Sequence, residues 1–252
     1  MNGGYIAPQS VLTAILLIGA GLALWRRRRG WRHSWEHVLT LSVILQGFAF
    51  MFCAPQTTHL IGHTQYVLTH TAHLQDFFGH LFFIAACSAV IYGVSYRVAP
   101  AKNVPRLMYR VDRPAAVVGG IMLVCITVSR STRVRSNSDF FDVRPDPWLK
   151  LYWISYGLLI IYLLLYLIRL LLVLRKDPRS TVSAHLYLGA AGFGIIGIIF
   201  AGINIFLPTP HSIDPEVWLA LMIPSILASC AAGWRLYAKH YVGTPNQRYE
   251  IT

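Results

Sequence analysis

Charge is scarce in this chain, and negative charge most of all. Only 13% of its 252 residues are charged, with 10 Asp and Glu against 22 Lys and Arg. An average soluble domain carries about 25% charged residues, so this composition, with 55% hydrophobic residues, argues against a water-soluble protein. Catalytic signatures are missing as well. No GxSxG, HExxH or P-loop pattern occurs, and the chain is expected not to be an enzyme. The four cysteines, Cys53, Cys87, Cys125 and Cys230, have neither zinc-knuckle nor haem-attachment spacing. They read as small apolar residues at helix contacts. Low-complexity tracts and convincing internal repeats are also lacking, which argues against a two-halved transporter.

What the chain does have is apolar runs about 20 residues long, the length a helix needs to cross a bilayer. Seven are expected, at about 7–25, 37–54, 77–96, 115–129, 149–174, 183–207 and 217–238. The first is followed rather than preceded by its arginines, unlike a signal peptide, and reads as a retained span. The fold class is therefore an all-α polytopic membrane protein, one helical membrane domain over 1–252. Asp76 is placed to cap the third span, and Pro114 bounds the short fourth one.

Positive residues resist translocation. With the N-terminus outside and the C-terminus inside, sixteen Lys and Arg flank the inner ends of the spans and five the outer ends. Arg26, Arg27, Arg28, Arg29, Arg106 and Arg110 form much of this inner basic face. The basic balance thus reports topology and suits anionic lipid headgroups, with no need to invoke nucleic acid. A multi-pass protein of the cell membrane is expected, with a membrane-protein partner or homo-oligomer as further partners.

Polar residues within the spans must face protein, water or a solute, because an unpaired polar group in hydrocarbon is costly. His80, Gln46, Asn204 and Arg169 are the buried polar candidates. Arg169 lies close enough to the inner end to snorkel, while Gln46 and Asn204 suit interhelical hydrogen bonds or a polar pathway. No span, so bounded, contains a carboxylate, which argues against proton coupling. In the sixth span Ala190 and Gly194, and Gly197 and Ala201, form small-xxx-small pairs for close helix packing. Tyr152, Trp153 and Tyr156 open the fifth span as interface aromatics.

Five of ten histidines fall within HLIGHTQYVLTHTAHLQDFFGH, His59 to His80. On one helix all would share a face, but a straight helix would spread them over about 30 Å. The pairs His59/His63 and His70/His73 have metal-ligand spacing, yet TQYVLT between them lacks a turn residue. The segment reads as a polar, partly solvated connection, leaving His80 as the buried member. No cofactor is expected; zinc, copper or haem held by the outer histidines is the alternative.

The segment AHLQDFFGHLFFIAACSAVIYG, Ala72 to Gly93, after a basic first loop and a second apolar span, resembles the seven-span integral membrane proteins of actinobacteria and their phages. In that family an Asn-Leu pair precedes a Leu-Leu-Gly/Ala-His run entering the third helix. Leu74, Phe78, Gly79 and His80 occupy matching positions, and the preceding Pro-Asn is absent. Some members carry a provisional transporter label, and the resemblance implies membrane location and span count; small-solute transport or channel-like activity is expected from the spans carrying Gln46, His80 and Asn204. A membrane sensor or partner-binding envelope protein, including a phage-type factor, is the alternative function.

Overall fold

The computed structural model describes residues 34–133, 140, 143–178 and 180–206, with Ile18 and Gly21. The first and seventh expected spans and Arg26 to Arg29 lie outside the described residues, apart from the isolated positions Ile18 and Gly21. The described residues from Ser34 onward form six α-helices: α1 (Ser34–Cys53), α2 (Pro55–Thr69), α3 (Leu74–Val98), α4 (Val104–Val128), α5 (Pro147–Leu174) and α6 (Thr181–Phe206). Among the described residues there is no strand. Among the described residues four segments, Leu74–Val98, Ala101–Val128, Pro147–Leu174 and Thr181–Ile203, are long and apolar enough to cross a membrane, and Thr40–Cys53 is a shorter apolar helix.

Helix α3 is the centre of the assembly. It packs against α1, α4 and α5, and α5 in turn packs against α4 and α6. The buried core runs along these contacts, through Ile84, Ile91 and Val94 of α3, Met122 and Ile126 of α4, and Leu149, Ile160, Leu163 and Leu171 of α5. Between α1 and α3 the packing is aromatic and very close. Phe82 stacks between Phe48 and Phe52 at 5.5 and 5.4 Å, and Gly79 lies directly against Cys53 and the backbone of Ala49. On α6, Ala190, Gly194, Gly197 and Ala201 are all buried, the spacing that lets a helix backbone approach its neighbours.

The fourth apolar run is longer than the sequence pattern suggests. Its helix starts at Val104, not at Ala115, and continues through Pro114. A proline inside a helix has no N–H to give the carbonyl four residues back, here that of Arg110. The Tyr162 hydroxyl of α5 donates to this Arg110 oxygen at 2.9 Å. A neighbouring helix thus satisfies the group that proline orphans, as apolar surroundings require. Tyr162→Phe is expected to lower stability by about 1 kcal/mol and to do much less in a Pro114→Ala background, as measured by thermal unfolding in detergent.

One end of the bundle is tied together by Asp146. Its carboxylate caps α5 by accepting the Leu149 N–H at 2.8 Å, and it also accepts the Ser129 hydroxyl and Arg130 N–H at the end of α4. Burial alone would raise this carboxyl's pKa, but the hydrogen bonds from Leu149, Arg130, Ser129 and Ser131 outweigh it and hold the value below the usual range. A lowered folded-state pKa contributes stability above the unfolded value and loses it as pH falls through the folded one. Asp146→Ala should therefore cost about 1–2 kcal/mol at neutral pH. Asp146→Asn should flatten the fall in unfolding temperature seen below about pH 4.

Candidate functional site

The histidine segment does turn, by an unexpected route. After α2, His70 and His73 both adopt the left-handed backbone conformation, with φ of 52° and 63°. Histidine is among the non-glycine residues enriched there. Hydrogen bonds fix the turn: the His70 N–H reaches the Tyr66 carbonyl at 2.8 Å and the Ala72 N–H the Thr132 carbonyl at 2.7 Å. The Gln65 side chain spans it, donating to the Thr71 carbonyl at 3.2 Å and accepting the Gln75 N–H at 3.1 Å. That last bond satisfies one of the free N–H groups of the first turn of α3.

Two expectations change here. His59 to His73 do not form one solvated connection, because Pro55–Thr69 is helical and His73 is 1% exposed. Asp76 does not cap α3; the cap position is His73, and Asp76 lies in the first turn. Since α3 begins at Leu74, a helix of membrane-crossing length does hold a buried carboxylate, contrary to the narrower boundary read from the sequence. Asp76 Oδ2 meets His73 Nδ1 at 3.1 Å and accepts the Gln75 side-chain N–H at 2.9 Å. Above this cluster Phe140, 1% exposed, stacks on the His73 ring at 5.1 Å.

His80 lies two turns further along α3, 5% exposed. Its Nδ1 is 2.6 Å from the Tyr152 hydroxyl. Rings of Tyr156, Trp153, Tyr152 and Phe140 surround the imidazole at 4.4, 5.2, 5.7 and 6.1 Å. Tyr152, Trp153 and Tyr156 thus face inward rather than forming an interface belt. Tyr152 and Tyr156 are one helical turn apart and share a face, a spacing that would have marked them as a pair pointing at one target. Phe140, which lies between α4 and α5 in the chain, had no sequence signal.

Beside His80 is a cavity of about 110 Å³ bordered by α1, α3, α5 and α6. The small residues Ala49, Gly157, Ala201 and Gly202 leave the space open, and Phe50, Phe83, Ile198 and Ile205 give it apolar walls. A Cβ at Gly202 would meet nothing within 4 Å. His80, Cys53, Trp153 and Tyr156 are the residues with polar atoms among the described lining.

Gln46 and Arg169 are not among the described lining residues of this site. Gln46 is half-buried on α1, and Arg169 is exposed on α5, so it is not a buried polar residue. Asn204 belongs to α6, and His59 and His63 to α2, with side chains outside the description. His70 is exposed while His73 is buried, because the two left-handed residues turn the chain between them. The pair therefore does not share one face, and among the described residues no group of three His, Cys, Asp or Glu is placed to hold a metal ion. Arg106 and Arg110 are exposed on the first half of α4. In comparisons with known proteins, no family, curated protein or solved structure matches the chain.

Proposed function

We propose that this is a multi-pass protein of the cell membrane, with seven spans, its N-terminus outside and its C-terminus inside, that admits a small solute at His80 for transport or channel-like passage. One observation carries this reading: the cavity beside His80 lies within the bundle and is bordered by three helices of membrane-crossing length and by α1. Such concave sites, largely apolar with a few fixed polar groups, are where small molecules bind. The family resemblance of Ala72 to Gly93, with its provisional transporter label, agrees with it. The exposed Arg106 and Arg110 on α4 suit an inner face against anionic headgroups.

Flux tests the reading directly. Proteoliposomes holding the full chain are expected to pass small solutes from a mixed panel faster than empty liposomes. Gly202→Leu, which fills the cavity from a position with open space around it, should reduce that rate at least about tenfold, the effect of removing about 1.4 kcal/mol of binding. Equal flux in the parent protein, the variant and empty liposomes would overturn the proposal.

A further inference from the structure

We infer that the cavity beside His80 takes one small neutral molecule with a single hydroxyl-like hydrogen-bonding group on an apolar body. The inference rests on reading the cavity as a solute site and adds the chemical class of the solute.

Size sets the first limit. A cavity of about 110 Å³ is smaller than the roughly 150 Å³ one that accepts a benzene ring, so the part of the occupant held inside it has about five heavy atoms. Charge sets the second. None of the described lining residues is an Asp, Glu, Lys or Arg, and an ion left there without a partner would lose far more solvation than one hydrogen bond returns.

His80 sets the third. One ring nitrogen is held by Tyr152, and among the described residues the other has no hydrogen-bond partner. The imidazole is wedged between the rings of Tyr156 and Trp153, so it is held in place at the cavity wall. A tyrosine hydroxyl both donates and accepts. When Tyr152 donates, the free nitrogen of neutral His80 carries a proton and donates; when Tyr152 accepts, the free nitrogen accepts. A hydroxyl on the occupant matches either state. A hydrocarbon matches neither and leaves the nitrogen unsatisfied.

The test uses the full chain in detergent micelles with nitrogen-15-labelled histidine, the His80 signal being assigned by its loss in His80→Phe. The probes are 1-butanol, butylammonium and butyrate, which share a tail and differ in the head. Saturable movement of the His80 signal by 1-butanol is expected, with the two ions at least about tenfold weaker, the minimum for one unpaired buried polar group. Gly202→Leu should abolish the movement while keeping the parent's unfolding transition, and Ala201→Val provides a second filled cavity should Gly202→Leu not fold. Stronger binding of either ion, no movement with any probe, or a 1-butanol response that persists in a folded, filled variant would overturn the inference. Flux separates the two ideas. Solute passage blocked by Gly202→Leu without a 1-butanol response refutes the neutral class alone, whereas a 1-butanol response without passage refutes transport alone.

Discussion

Asp76→Ala is expected to destabilise the protein by about 2–5 kcal/mol, seen as a large fall in unfolding temperature of the purified chain in detergent. The carboxylate is 3% exposed and its Oδ2 meets both His73 Nδ1 and the Gln75 amide. Removing it takes from the buried His73 ring its Nδ1 partner, and an orphaned buried group costs more than the bond itself was worth. His73 has little room to compensate: it is 1% exposed, has positive φ, and is covered by Phe140. Asp76→Asn keeps an acceptor oxygen and should cost less. His73→Leu combined with Asp76→Leu should cost less than the two single losses added together, because the double change removes both members of a buried pair. Additive losses would show that the pair is not coupled as its geometry implies.

Gly79→Ala is the second large effect. A methyl group at Gly79 would collide with Cys53 Sγ and lie 3.1 Å from the Ala49 carbonyl oxygen and 3.3 Å from the Cys53 nitrogen. Overpacking of this kind costs about 1–3 kcal/mol, and here α1 must move away from α3 because two of the three contacts are backbone. Cys53→Ala removes the nearest contact and leaves the other two. The double variant Gly79→Ala with Cys53→Ala should therefore recover part of the loss, with a coupling of about 0.5–3 kcal/mol by double-mutant cycle. The displacement would also reach the adjacent His80 and widen the α1 side of the cavity, both lined from this seam. A Gly79→Ala protein as stable as the parent would contradict the close approach of α1 and α3.

The importance of His80 was legible because depth and polarity are both properties of a linear pattern: an imidazole one turn inside an apolar run must find a partner. Its surroundings were not. Tyr152, Trp153 and Tyr156 stand 72 or more residues away, and aromatic residues near the end of an apolar run are as consistent with a headgroup belt as with an inward cage. The close packing of α1 on α3 decided between those readings no more than composition did; the packing of α3 against α5 did. His73 was misread for a related reason. Spacing on a straight helix cannot anticipate a chain reversal made by two histidines in the left-handed region, and the partners that support it, Gln65 and Thr132, belong to other turns of the chain.

Taken alone, the amino-acid sequence determined the all-helical class, the apolar runs that become α3 to α6, and the face of small residues on α6, because these follow from local hydrophobicity and side-chain size. Helix ends were decided higher up. The fourth run extends back to Val104 through Pro114, and Tyr162 of another helix satisfies the carbonyl that Pro114 frees. Likewise, whether Asp76 is a cap or a buried hydrogen-bonding centre depended on His73 and Gln75 closing around it, and whether His80 meets a helix or open space depended on four helices leaving room beside it. Hydrocarbon makes an unsatisfied polar group costly, but only tertiary packing chooses the partner.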